Sequence, residues 1–149
     1  METAATNRLL PKSERLCGKK AIATLVERGR HGSAGCLRYT CLLHPTPTDS
    51  PSLRVSGSSS RPETPSASAS APSLATRIMV SVPKKLFKRA VRRNLLKRRI
   101  REAYRLNKAS LSVSVPADIL FTYSSPKVLS FEEIQAAMQS ALQEISRWK

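Results

Sequence analysis

The sequence is poor in acidic residues, which limits the chemistry that the chain can perform alone. It has 10 Asp and Glu against 26 Lys and Arg, and its formal net charge is +16. A nuclease needs a general base and acid, or carboxylates that hold metal ions. The acids are scattered, and the one adjacent pair, Glu132 and Glu133, falls at a predicted helix start. With 5 glycines there is also no glycine-rich phosphate loop. We therefore predict a binding protein without catalytic residues.

Metal-ligand spacings and long apolar runs are also missing. Cys17, Cys36 and Cys41 are odd in number and form no C-x-x-C motif, and the two histidines do not complete a zinc set. Unpaired thiols are typical of a reducing cytosol. No apolar run approaches the roughly 18 residues of a membrane span, and the N-terminus lacks the apolar region of a secretory signal. These absences predict a cytoplasmic protein with no metal ligands and no membrane partner.

One long stretch has the composition of a disordered segment. Residues 45–76 contain six of the 10 prolines and ten serines, and their apolar content is mostly alanine. Such a segment cannot bury enough surface to offset the entropy of ordering it. We predict a disordered N-terminus at 1–11 and a single domain at 12–149 that is interrupted by a disordered insertion at 45–76.

The remaining residues alternate between helical and strand periodicity. Ser130 and Glu133 match a capping box at the start of the last helix. The predicted elements are a helix at 12–29, a strand at 36–44, a strand at 77–82, a helix at 88–106, a strand at 117–124 and a helix from 130. This order, α-β-β-α-β-α, predicts an α+β fold in which a small sheet has helices packed mainly on one side.

The most informative stretch is residues 83–108, which hold twelve of the 26 basic residues and one acid. On a helix, Leu96, Ile100 and Ala103 form a narrow apolar stripe, and the basic residues form an adjoining arc. Unpaired cations are too costly to bury, so the arc faces water or a polyanion. A solvated face usually mixes charge signs, whereas here like charges stack four residues apart. The pattern favours nucleic acid.

The same stretch resembles a known family. Residues 90–98, AVRRNLLKR, followed by Arg101 and Glu102, resemble the A-V-x-R-N-x-x-K-R-x-x-R-E signature of the bacterial ribonuclease P protein component, and residues 81–85, SVPKK, resemble the segment before it. Leu95 departs from the pattern, because members often carry a basic residue there. The predicted RNA-binding residues are Lys84, Lys85, Lys88, Arg89, Arg93, Asn94, Lys97, Arg98, Arg101 and Arg105.

The resemblance implies a function and partners. It implies the protein subunit of ribonuclease P, which binds the catalytic RNA subunit and the 5′ leader of precursor tRNA. Magnesium ions held by the RNA subunit would then support endonucleolytic removal of the leader, which gives the mature 5′ end. The resemblance also implies a left-handed βαβ crossover. We expect no obligate protein partner.

Four residues are candidates for the cleft that receives the leader. By resemblance, Ile22 and Val26 occupy positions that are aromatic in the family. Because both side chains are aliphatic, core packing is at least as strong an alternative for them. Arg38 and Tyr39, on a predicted strand, are candidates because a tyrosine beside a cation can stack on a base. Half-buried packing is the alternative for Tyr39.

Other classes of binding protein share some of these features. A structural RNA-binding protein of ribosomal type would have the same charge and size, but would leave tRNA cleavage unchanged. A DNA-binding recognition helix is usually less uniformly basic, because reading bases needs mixed polar side chains. A membrane-surface helix needs larger aromatic anchors than Tyr104 alone provides.

Overall fold

A computed structural model describes residues 10–44, 76–111 and 116–148. The predicted disorder at 1–11 and 45–76 therefore lies almost entirely outside the described residues. Leu10 and Pro11 are the exception at the N-terminus. Leu10 is partly buried against the hydrophobic core, so the chain is already packed at this position.

The described residues form one four-stranded sheet with three α-helices. The strand order is β1-β2-β4-β3; β1–β2 and β2–β4 are antiparallel and β3–β4 is parallel. The elements are α1 (Lys19–Arg28), β1 (Arg30–Ala34), β2 (Leu37–Leu43), β3 (Arg77–Ser81), α2 (Ala90–Asn107), β4 (Ala117–Tyr123) and α3 (Phe131–Ser146). The predicted α+β class is confirmed, with one strand more than the predicted order. The parallel pair β3–β4 is joined through α2, and the left-handed sense of this crossover stays a prediction.

The strand that the sequence did not reveal is β1. Its sequence, RHGSA, has no apolar alternation, because it is an edge strand with mostly exposed side chains. The antiparallel pairing with β2 holds this strand in the sheet. A side chain at Gly32 would lie 2.4 Å from the ring of Tyr39, so only glycine lets that ring lie across β1. Gly35, at φ +55°, makes the turn between the two strands.

The predicted helix at 12–29 is wrong in its first half. Residues 12–14 form a 3-10 turn, and Arg15 then forms a parallel bridge with Ile78 of β3. The backbone N–H of Leu16 donates to the Ile78 carbonyl at 2.8 Å. The helix starts after Gly18, whose φ of +106° is open to glycine but strained for other residues. The N-terminal segment therefore lies along the edge of the sheet beside β3, and the helix begins only after this segment.

The core lies between one face of the sheet and the helices α2 and α3. Register places Tyr39, Phe121 and Val80 side by side on this face, and all three are buried. The predicted stripe of α2 is confirmed: Leu96, Ile100 and Ala103 are 0% exposed. The capping box that starts α3 is also present. The helix α1 contacts β2 and β4, and its end at Gly29 meets Thr40 on the opposite face.

Candidate nucleic-acid interface

A short loop between β3 and α2 presents lysines from a fixed backbone. Val82 and Phe87 are 6% and 4% exposed, and the ring of Phe87 packs 5.8 Å from that of Tyr123. These two anchors lie on either side of Lys84 and Lys85, which are exposed. The predicted loop residues therefore reach solvent from a buried support; they are Lys84, Lys85, Lys88 and Arg89.

Arg93 joins this loop to the helix. Its Nη1 donates to the carbonyl oxygens of Phe87, at 2.7 Å, and Lys88, at 2.6 Å, and its side chain is half-buried. These carbonyls lie just before the helix, where the backbone turns. A guanidinium has five N–H donors, so other donors remain for a ligand. The structure thus adds a positioning role to the contact that the sequence predicts for Arg93.

The outward face of α2 carries cations that no described residue neutralises. Asn94, Arg98 and Arg101 are exposed, and Lys97 is half-buried beside the apolar stripe. Among the described residues, the side chains of Lys97, Arg98 and Arg101 form no hydrogen bond or ion pair. The face therefore has the geometry and charge to neutralise phosphates.

Arg105, at the far end of the arc, is engaged within the helix. Its Nη2 lies 2.6 Å from Oε1 of Glu102 and its Nε 2.9 Å from Oε2. The hydrogen bond from Arg105 lowers the pKa of the Glu102 carboxyl, which stays ionised. An RNA contact by Arg105 would compete with this pair, so its predicted contribution is smaller than that of Arg98.

The leader-cleft candidates fall in different places. Ile22 is half-buried, whereas Val26 is 50% exposed, so core packing is wrong for Val26. The buried residue of this helix is Leu25. Arg38 is exposed on the sheet face that α1 covers in part, opposite Thr122 of β4. Ile22, Val26 and Arg38 remain available to a ligand.

Tyr39 is not available to a base. It is 1% exposed on the core face, its hydroxyl donates to Glu144, and its ring lies 5.6 Å from that of Trp148. Burial, followed by the bond to Glu144, raises the pKa of Tyr39. The expected contact with RNA is therefore wrong. Successive strand residues point to opposite faces, so exposure of Arg38 already implies the opposite side for Tyr39.

A buried ion cluster that the sequence did not predict surrounds Asp118, an acid with no charged neighbour in the sequence. Asp118 is 2% exposed and accepts two hydrogen bonds from Arg77, both at 2.8 Å. His44 Nε2 lies 2.8 Å from its Oδ2. An acid inside an apolar strand was the available signal, because a buried carboxylate needs partners.

Comparison with known proteins adds an independent observation. The model of the family described as ribonuclease P matches residues 10–146. The chain belongs to the ribonuclease P protein family.

Individual ribonuclease P protein components match parts of the chain. The component of Porphyromonas gingivalis is 44% identical over 70 residues, which cover 44% of this chain and 51% of the relative. The component of Chlorobaculum tepidum is 35% identical over 109 residues, covering 73% of this chain and 57% of the relative. The chain thus spans between half and three fifths of the length of these curated relatives.

Solved ribonuclease P proteins share the fold. The Staphylococcus aureus RNase P protein superposes with a TM-score of 0.60 at 18% identity, covering 90% of this chain and 95% of that one. The Thermotoga maritima RNase P protein gives a TM-score of 0.61 at 18% identity, covering 89% and 97%. The four-stranded sheet and its helices are therefore the architecture of this family.

No group of three or more His, Cys, Asp or Glu side chains within residues 10–44, 76–111 and 116–148 is placed to hold a metal ion. In the same ranges, no helix is both long and apolar enough to cross a membrane.

Proposed function

We propose that this protein is the protein subunit of ribonuclease P and supports removal of the 5′ leader from precursor tRNA. The observation that carries the proposal is the basic face of α2, where Lys97, Arg98 and Arg101 have no partner within the described part of the chain. The exposed lysines of the loop between β3 and α2 continue this face. Membership of the family supports the choice of enzyme, and the basic face offers a surface that would bind the RNA of that enzyme.

The proposed role of the basic face is electrostatic. Two RNAs that approach one another repel through their phosphates, and cations held on a rigid helix reduce this repulsion. Arg98 and Arg101 can each make two parallel hydrogen bonds to a phosphate, whereas Lys97 acts as a point charge. Asn94, uncharged and exposed among them, is suited to a base edge or a 2′-hydroxyl.

The chemistry of cleavage is assigned to the RNA subunit. Magnesium ions held by RNA phosphates would activate the attacking water and stabilise the leaving oxygen. The protein residues act beforehand, by binding and by lowering the magnesium concentration at which the two RNAs associate. This division agrees with a sequence whose acids are few and scattered.

The leader is proposed to lie on the sheet face beside α1. Val26 offers an exposed apolar surface there, Ile22 a half-buried one, and Arg38 an exposed cation. Aliphatic side chains contact a base without the stacking that an aromatic ring provides. We therefore expect weaker leader binding than in members with aromatic residues at these two positions.

We infer a cytoplasmic protein that works with the RNA subunit and precursor tRNA, without a membrane and without an obligate protein partner. Residues 12–149 would act as one RNA-binding domain, and the insertion at 45–76 would extend from it as a disordered segment.

The decisive experiment adds the purified protein to a bacterial ribonuclease P RNA and precursor tRNA at low magnesium. We expect cleavage at the mature 5′ end to be restored. The Arg98→Ala/Arg101→Ala variant is the matched control and should restore less. Tight binding to the RNA without cleavage would refute the proposal and favour the alternative, a structural RNA-binding protein.

A further inference from the structure

A cavity of about 300 Å³ lies between the N-terminal segment, β3 and α2. Its apolar lining includes Leu10, Leu16 and Met79, which come from the first two of these elements. Small-molecule sites usually have volumes of about 300–1,000 Å³ and mostly apolar walls. This cavity is at the lower end of that range, so it suits a single ring system.

The walls of the cavity are fixed by two contacts. The N–H of Leu16 bonds to the carbonyl of Ile78 at 2.8 Å, which holds the segment along the edge of β3. Farther back, Nζ of Lys108 lies 3.3 Å from Oε1 of Glu14, which ties the segment to the end of α2. The opening is therefore held from both sides by contacts between described residues.

The charged residues that line the cavity are all cationic. They are Arg15 from the N-terminal segment and Lys97 and Arg101 from α2. Among the described residues, none of these three side chains forms a hydrogen bond or an ion pair. Apolar walls with unpaired cations fit a ligand that has a flat apolar part and an anionic part.

We propose that this cavity binds one unpaired nucleotide of an RNA strand. The base would enter between Leu16 and Met79, and its phosphate would contact Lys97 and Arg101. The guanidinium plane of Arg15 would lie against the base, as arginine does in single-stranded RNA recognition. A paired helix cannot enter a space of this size. The inference rests on the proposed function, because it names a contact that two cations of the same basic face of α2 would make.

Cys17 gives a direct probe of the site. It lines the cavity and is exposed, whereas the other two cysteines of the chain are buried. Burial raises the pKa of the Cys36 thiol and raises that of Cys41 to about 11. The thiolate is the reactive form. A maleimide at neutral pH should therefore modify Cys17 selectively.

The test blocks the cavity without changing the charge of the protein. The protein is labelled at Cys17 with N-phenylmaleimide, and its affinity for ribonuclease P RNA is measured. The matched control, Cys17→Ser/Gln143→Cys, carries the same label on an exposed position of α3. We expect the Cys17 label to weaken binding about tenfold or more, as for the loss of one base contact, and the control label to leave it unchanged. RNA added first should also slow labelling of Cys17.

Equal affinities of the two labelled proteins would overturn the inference. If the label lowers the melting temperature, Arg15→Ala replaces it, with Arg147→Ala as its control, and an equal affinity of these two variants overturns the inference in the same way. The cleavage assay with unlabelled protein separates the two proposals. Restored cleavage together with unaffected binding of the Cys17-labelled protein would reject the cavity alone. Absent cleavage together with a Cys17-specific loss of binding would reject the proposed function and keep the cavity as an RNA site.

Discussion

Arg77 and Asp118 form an ion pair with two hydrogen bonds, next to the two described chain ends that flank residues 45–75. His44, the last described residue before this stretch, binds the same carboxylate. The backbone N–H of His44 also donates to the carbonyl of Pro116 at 2.9 Å, which continues the pairing of β2 with β4. The two ends are thus held to one strand, whatever the length of chain between them.

This closure predicts that the insertion is dispensable for RNA binding. Replacing residues 46–73 with a short Gly/Ser turn should leave affinity for ribonuclease P RNA within a few-fold, because loop length changes closure entropy only slowly. Gel-shift titration and thermal melting of the shortened protein would measure both effects. The same deletion combined with Asp118→Asn should melt lower than the deletion alone. A large loss of affinity in the simple deletion would show that the insertion contacts RNA.

The outward cations of α2 should control the salt dependence of binding. For Arg98→Ala/Arg101→Ala we expect weaker binding and a log–log salt slope shallower by about one to two units, because up to two phosphate contacts are lost. Stability should be nearly unchanged, since both side chains are exposed. The matched control is Lys127→Ala/Arg147→Ala, which removes two charges elsewhere. An equal change of slope in both variants would mean that net charge, and not this face, sets the affinity.

Arg93 should behave differently from its neighbours. Arg93→Ala removes the donor that holds the carbonyls of Phe87 and Lys88. We expect a loss of about 1–2 kcal/mol in the free energy of unfolding, because two charge-assisted hydrogen bonds disappear, together with weaker RNA binding. Urea denaturation of Arg93→Ala beside Arg98→Ala would separate the two roles. Equal stability of these variants would contradict the positioning role.

The features of this protein that could be predicted from the sequence each lie within a single helix. The apolar stripe, the basic arc and the capping box each follow from one helix, and all three are present in the structure. What the sequence did not reveal depends on neighbours in space. The strand β1 exists because β2 lies beside it, and Asp118 is satisfied by two residues far away in the sequence. Tyr39 shows a third limit of prediction from sequence, because its residue type suits RNA contact but its side chain lies on the buried face of the sheet. Only the exposure of Arg38, which the structure shows, decides which face of β2 is buried.

Alkaline pH should destabilise the protein, partly through a thiol in the core. Burial, followed by the charge of Asp118, raises the pKa of Cys41 from 9.0 to about 11. Between these values the unfolded chain loses the proton while the folded chain keeps it, so the unfolded state binds fewer protons and stability falls as pH rises. The stabilising contribution is complete below pH 9 and declines up to pH 11, by at most about 2–3 kcal/mol. Urea denaturation from pH 8 to pH 11 would measure the decline. Cys41→Ala should make the decline shallower without abolishing it, because other groups with raised pKa values remain: Cys36, Tyr39, Tyr104 and Tyr123. An identical decline in the variant would show that the protonation of Cys41 does not differ between the folded and unfolded states in this pH range, and that Cys36 and the three tyrosines account for the loss.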